Sequence, residues 1–564
     1  LLTLAWFAPL SAQGLPSPIA PPTREELAPP AAPLPTQRSR LQIDGGIERA
    51  PCPLADPAYA DIRLTISKAT FNNLKGVSPE ELSRSYASML GADKPVSTIC
   101  DIRDAAATLL RRKGYLAAIQ VPVQKIEGGD VRFEVLYAKI VAVRVRGDAG
   151  PNEKLVARYL NKLTQDEVFN SFAAERYLLL ARDLPGYDVK LSLRPAGKAL
   201  GELYGDVTVV RRPIDADVNV QNLAASSTGR WGGQIRAQIN GALGLGDRTS
   251  IGFYSTSDFS EQQILQLGEE IRVGGEGLTL AGHFTYAWTK PDVGFANVDV
   301  KARTLFANVE ASYPFVRSQL ANLRGSAGVD LVNQRVTFNT IPLTHDRLRV
   351  AYLRLEGDLA DPHAGQLPRW RHAYSIELRQ GLNIFDPTEG FIPGGVSPSR
   401  ADGDAEGTLM RLSGLSEFRV VRNLTVSVAP RAQYSWDPLL SFEEYSAGNF
   451  TIGRGYDPGT LIGDSGVGAT AEVRIDRLTP FKDKPLALQP FLFVDSAWVW
   501  NKDTGGDSSR LTSVGGGVRT SYADRVRLDV TLAVPVKRAG LQTRRGDTRF
   551  LVSLTTRLWP WGAQ

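Results

Sequence analysis

The feature that most constrains this chain is strict two-residue alternation of apolar and polar side chains from Pro213 onward. VRLDVTLAV places Val526, Leu528, Val530, Leu532 and Val534 on one face and Arg527, Asp529, Thr531 and Ala533 on the other. LTLAGHFTYAW does the same with Leu278, Leu280, Phe284, Tyr286 and Trp288 against Thr279, His283 and Thr285, and LTVSVAPRAQY (424–434) repeats it. A period of two is that of a β-strand with one face apolar. These segments run about ten to thirteen residues, longer than the usual strand of a soluble sandwich and long enough to cross a bilayer at a tilt. Aromatic residues stand near their ends, at Tyr286, Trp288, Tyr434, Trp498, Trp500 and Trp559, where girdles at the two membrane interfaces belong. In lipid only a closed cylinder satisfies every backbone N–H and C=O, so the expected fold is a transmembrane antiparallel β-barrel. Sixteen alternating segments are predicted between 213 and 564, beginning near residues 213, 229, 247, 262, 277, 300, 320, 346, 371, 408, 423, 466, 488, 510, 524 and 547.

The first 212 residues are organised differently. Residues 1–13, LLTLAWFAPLSAQ, turn from apolar to small and polar and are read as the remnant of a secretory signal, with cleavage near Ala12. Residues 14–53 form a linker rich in Pro and Ala, in which only TREELA (23–28) has the composition for a turn or two of helix. Residues 54–138 predict the order β-α-α-β-β. DIRLTI (61–66) is a strand, and Ser78, Pro79 and Glu81 start a helix with a cap and capping box. A second helix spans 101–113, and YLAAIQVPV and DVRFEVLY are strands about the turn at Gly128-Gly129. Residues 139–212 predict the same order again, so the region reads as two copies of one small α+β module.

With 65 basic and 60 acidic residues the charge is close to balanced, and no Lys/Arg run offers a nucleic-acid footprint. The only cysteines are Cys52 and Cys100, which an exported chain would pair; two buried thiols are the alternative. Four histidines, His283, His345, His363 and His372, lack the spacing of a zinc site, so no metal is expected. GDSG (463–466) has the letters of a protease nucleophile loop, but Val467 follows where a glycine belongs and no histidine lies in the required context. No Gly-rich phosphate loop ending in Lys-Ser/Thr occurs, and neither enzymatic activity nor a cofactor is expected.

Several stretches resemble the two-partner secretion (TpsB) outer-membrane transporters of the haemolysin secretion/activation type. They are GRGYDPG (453–459) with GDSGVGATAEVR (463–474), FVDSAWVW (493–500), NLAASSTGRWGGQIR (222–236) and YPFVRSQLANL (313–323). The resemblance implies two periplasmic POTRA modules ahead of a sixteen-stranded barrel, a sixth extracellular loop folded back into the pore (about 437–465), a plug helix on TREELA, and a Cys52–Cys100 disulfide at the first module. It makes Gly453, Arg454, Gly455 and Tyr456 the pore-loop motif and Asp495 the acceptor of Arg454. Alternation agrees on the sides: Leu492, Val494, Trp498 and Trp500 face lipid, leaving Phe493 and Asp495 in the lumen, and Val467, Ala469, Ala471, Val473 and Ile475 face lipid, leaving Glu472 inside. The implied function is export of a large β-helical exoprotein, recognised by its N-terminal secretion domain, across the outer membrane without ATP. The implied partners are that exoprotein, outer-membrane lipid and the barrel assembly machinery, with the transporter itself a monomer. A BamA-like assembly factor and a passive solute channel are the alternatives.

Overall fold

The computed structural model describes residues 22–27, 51–196, 201–293, 298–361, 368–390, 394–481, 484–502, 508–523, 525–540 and 546–560. Residues 1–13, read as a signal remnant, most of 14–53 and His363 lie outside the described residues. The chain forms two compact units.

In the unit holding the two α+β modules, each module is a three-stranded sheet with its last strand in the middle. In the first, Asp130–Tyr137 lies between a parallel Lys68–Asn72 and an antiparallel Ala117–Gln120. In the second, Glu202–Arg211 lies between a parallel Lys139–Arg146 and an antiparallel Tyr187–Pro195. The helices form where caps and apolar spacing direct them. Ser78 Oγ accepts from Glu81 N at 3.2 Å, and Asn170 Oδ1 accepts from Phe172 N at 2.9 Å. On the helix Thr98–Arg112, Ile102, Ala106 and Leu110 are each fully buried, one turn apart, against Val131 and Phe133 of the central strand. In the second module, Glu153–Asn161 buries Leu155, Val156, Tyr159 and Leu160, and Ser171–Arg182 buries Leu178. Lys75 reaches from the first module to Glu167 of the second; both are exposed, and the hydrogen bond from Lys75 holds that carboxyl below the ordinary range.

Two elements differ from the expected order. The first strand of the first module's sheet is Lys68–Asn72, just beyond the predicted 61–66, whose residues Arg63–Ile66 pair elsewhere. Gly91–Pro95 is also a strand, paired antiparallel with Arg63–Ile66 in a small second sheet. Its sequence GADKP has the composition of a turn, with Asp93 at φ +54°, and the pairing partner rather than local preference makes it extended. The expected first helix accordingly ends at Ser83. Cys52 and Cys100 form a disulfide with Cα atoms 6.0 Å apart, tying the start of the first module to its long helix. Removing it with Cys52→Ala and Cys100→Ala is expected to cost about 4 kcal/mol on the chain-entropy relation for a loop of this length. A lowered urea midpoint of the module transition in the full chain, reproduced in the native sequence by reductant, checks this.

In the other unit, sixteen antiparallel strands run in sequence order around a closed barrel, from Ile214–Gln221 to Arg549–Trp559, which pair with each other. Strand starts lie close to those expected. The largest displacement is at Ile341–Ala360, which begins ahead of the predicted position near 346. This strand and the two before it, Val300–Arg317 and Ala321–Phe338, have 20, 18 and 18 residues, more than hydrocarbon requires, and Thr344, His345 and Asp346 at the overshoot need no apolar partner face. The strand Leu486–Trp500 shows the alternation directly: Leu492, Val494 and Trp498 are 69, 42 and 37% exposed, whereas Phe493 and Asp495 are 6 and 0%. Pro430 sits within the strand Leu424–Ser435, where register with Thr408–Val421 passes from Ser413↔Arg431 to Ser416↔Val428 across it, as the missing N–H requires.

Candidate functional site: a loop bound inside the barrel

The site is set by register. Asp495 stands opposite Thr470 on one neighbouring strand, Ser465–Ile475, and opposite Ser513 on the other, Ser508–Tyr522. Since partners across a ladder share a face, one carboxylate and two hydroxyls meet on the lumen wall. Phe493 is likewise opposite Glu472.

Between the strands Leu424–Ser435 and Ser465–Ile475 the chain turns back into the bore instead of joining the wall. Its limbs pair as a short hairpin, Tyr445–Ala447 with Leu461–Gly463. Leu440 and Phe442 pack with Tyr254, Ile264, Ala287, Val332, Leu348 and Val350, all lumen-facing residues from the third to the eighth strands. The tip reaches a different part of the wall. Arg454 donates to Asp495 from its backbone N (2.9 Å), Nε (3.3 Å) and Nη2 (3.2 Å), and from Nη1 to Glu472 (3.3 Å). The Phe493 ring lies under the guanidinium, 3.6 Å from Cζ to centroid. Asp495 also accepts from Thr470 Oγ1 at 2.9 Å and Ser513 Oγ at 3.3 Å, and Glu472 accepts from Arg519 at 2.6 and 2.8 Å. Two guanidiniums thus face two carboxylates, with the hydroxyls filling the remaining lone pairs, the condition under which buried charge is tolerated.

The flanking residues are dictated by close approach. Gly453 has φ +124°, and a Cβ there would stand 2.7 Å from Leu511 Cδ1. At Gly455 a Cβ would meet Ser513 Cβ at 2.8 Å, while its N–H donates to Ser513 Oγ at 3.2 Å. Only glycine lets the tip lie this near the wall. Tyr456 is completely buried, its hydroxyl 2.7 Å from the carbonyls of Thr512 and Lys537.

A second cluster holds the loop's other limb. Arg379, fully buried, donates to Glu443 through Nε and Nη2 (both 2.8 Å), to Asp330 (2.6 Å) and to Glu377 (3.0 Å), and Arg411 Nη2 reaches Glu443 at 3.0 Å. The short helix Arg24–Leu27 belongs to the same assembly. Thr23 N donates to Glu26 Oε2 at 2.8 Å as a capping box, Arg24 lies 3.8 Å from Glu377, Glu25 pairs with Arg431, and Leu27 is buried beside Leu440 and Phe442. One turn of helix, from the TREELA stretch, therefore lies within the bore against the loop.

Sequence reasoning singled out Gly453, Arg454, Gly455, Tyr456, Asp495, Phe493 and Glu472, and the fold brings these together; Cys52 and Cys100 lie elsewhere, in the first module. It missed Arg519, Thr470, Ser513, Arg379 and Glu443. Parity could have found Arg519 and Ser513, because Val514 and Val518 face outward on their strand at 40 and 37% exposure. GDSG is the neck of the loop: Asp464, fully buried, accepts from Leu439 N (2.7 Å) and Lys502 N (2.9 Å), and Ser465 Oγ accepts from Ser435 N at 3.0 Å. Among the described residues no group of carboxylates, His and Cys is arranged for a metal ion.

Residues 207–520, more than half of the chain's 564, match the family described as haemolysin secretion/activation protein ShlB/FhaC/HecB. The chain belongs to the ShlB/FhaC/HecB family. It is similar to the haem/hemopexin transporter protein HuxB of Haemophilus influenzae (strain 86-028NP), 25% identical over 189 residues, a stretch that covers 33% of this chain and 33% of that relative. In fold it is similar to CdiB from Escherichia coli, with TM-score 0.73, 16% identity, and 90% of this chain and 94% of that one covered. It is also similar to CdiB from Acinetobacter baumannii, with TM-score 0.64, 16% identity, and 95% of each chain covered. As a member of this family with a closed sixteen-stranded barrel, the chain is an outer-membrane protein whose POTRA modules lie in the periplasm. Strands alternate in direction from that side, so the loop between the eleventh and twelfth strands enters the bore from the extracellular side.

Proposed function

We propose that this member of the ShlB/FhaC/HecB family exports a large β-helical exoprotein through its barrel, as a monomer and without ATP. The observation that carries the reading is the content of the bore. Among the described residues a single turn of helix and a loop occupy it, and each is held by side-chain ion pairs and hydrogen bonds, with no strand ladder to the wall. Such contents are displaced by competition, one contact at a time, whereas a wall strand is not. The exoprotein's unfolded N-terminal secretion domain docks on the POTRA sheets by strand addition, where main-chain hydrogen bonds supply affinity with little demand on sequence. It then displaces helix and loop and folds outside, and that folding makes passage directional. The absence of a phosphate-binding Gly-rich loop from the sequence supports a process that draws on folding of the cargo. Arg454 is the lock in this reading, and Asp495 with Glu472 its keeper.

The test is co-production of the full chain with a long, repeat-rich secreted protein encoded beside it. That protein is expected in the medium with the chain and in the periplasm without it. Retention in both cases, with defects instead in other barrel proteins, would reject export in favour of an assembly role.

A further inference from the structure

Closure of the barrel rests on the first and last strands, and their register is short. It runs from Ser553↔Gln221 to Arg557↔Asp217, then slips before Trp559↔Ala216. The pair Leu486–Trp500 and Ser508–Tyr522, by contrast, stays in register from Leu486↔Tyr522 to Trp500↔Ser508. Side chains supplement the seam. Asn219 donates to Ser553 Oγ (3.0 Å) and Thr555 Oγ1 (2.9 Å), while Asn222 accepts from Val552 N (2.7 Å) and donates to Phe550 O (2.8 Å).

The loop in the bore reaches the same place. Asp457, three residues beyond the lock, accepts from Ser226 N (3.2 Å) and Ser226 Oγ (2.8 Å) through Oδ2. Its Oδ1 lies 3.1 Å from Arg230 Nη1 and 3.0 Å from Arg549 Nη1. Ser226 and Arg230 belong to the turn after the first strand, and Arg549 opens the last. Arg549 also donates to the Tyr456 carbonyl, and Asn449 Nδ2 donates to Leu223 O at 2.8 Å. One carboxylate oxygen is therefore shared by guanidiniums from the two sides of the seam. Without that oxygen the two cations face each other across the joint, so attraction becomes repulsion.

We propose that Asp457 is a clasp on the barrel seam, so that the loop filling the bore also holds the first and last strands together and its withdrawal loosens them. The clasp itself needs no cargo and stands apart from export; its link to loop withdrawal rests on the Arg454 lock. Amide hydrogen exchange on the full-length protein in lipid nanodiscs reads both. In Asp457→Asn, amides of residues 214–221 and 549–556 are expected to exchange about tenfold faster or more, as local opening free energy falls. Those of the strand Ala321–Phe338 are expected to stay unchanged. Asp495→Arg, which frees the tip without touching the seam, is expected to give the same local rise. Adding Asn219→Cys with Thr555→Cys, register partners across the seam, is expected to restore slow exchange in Asp457→Asn once oxidised. Unchanged seam exchange in Asp457→Asn, or acceleration spread evenly around the barrel, overturns the clasp. Acceleration in Asp457→Asn with none in Asp495→Arg overturns its link to withdrawal of the loop.

Discussion

Asp495→Arg is expected to abolish regulated export and leave the pore conducting at rest. Asp495 is completely buried and accepts from Arg454 three times, from Thr470 and from Ser513. An arginine there orphans those donors and sets a third guanidinium beside Arg454 and Arg519, with Glu472 the only carboxylate of the tip cluster left to serve them. Breaking one partner of a buried pair costs about 3–5 kcal/mol, and like-charge contact adds to it. At 1.4 kcal/mol per factor of ten, the bound position of the loop loses on the order of a hundredfold or more in population. Ion current through the purified protein in planar bilayers and appearance of the exoprotein in the medium measure the two consequences. Resting conductance and secretion both equal to wild type would dismiss Arg454 as a lock.

The second large effect is expected at Arg379. Arg379→Met removes the one side chain that touches Glu443, Asp330 and Glu377 together, in a place where none of these is appreciably exposed. Arg411 still serves Glu443 and Arg354 still reaches Glu377 at 3.3 Å, but among the described residues Asp330 keeps only the amide of Asn308, at 2.6 Å. A loss of about 3–5 kcal/mol is expected, because an uncompensated buried charge remains. It is read as a lower temperature at which the folded, fast-migrating barrel converts to the unfolded form on gels. Asp330→Asn in the same background is expected to recover part of it; failure to do so would place the defect elsewhere than in the unpaired carboxylate.

The barrel was legible because hydrocarbon on one side and a polar bore on the other impose the same parity on every strand. That parity also put Asp495, Phe493 and Glu472 inside before any contact was known. It does not say which of many inward polar residues meet. Thr470, Asp495 and Ser513 come together through register across three strands, a non-local quantity. Arg379 and Glu443 are 64 residues apart, and neither carries a local motif. The strand Gly91–Pro95 was hidden for the related reason that its partner, Arg63–Ile66, lies across a helix from it in sequence. Arg454 was conspicuous because glycines flank it, and those glycines record how near the wall it must lie.

The bore loop is fastened at its tip, by Arg454 and Asp457, on one side of the cylinder and at Glu443 on the other. A strap fixed at both ends and cut at one swings on what remains. Loss of the tip contacts would thus leave Glu443 as a hinge, giving the channel a half-open setting before the full aperture and a ready means of reclosing once traffic has passed.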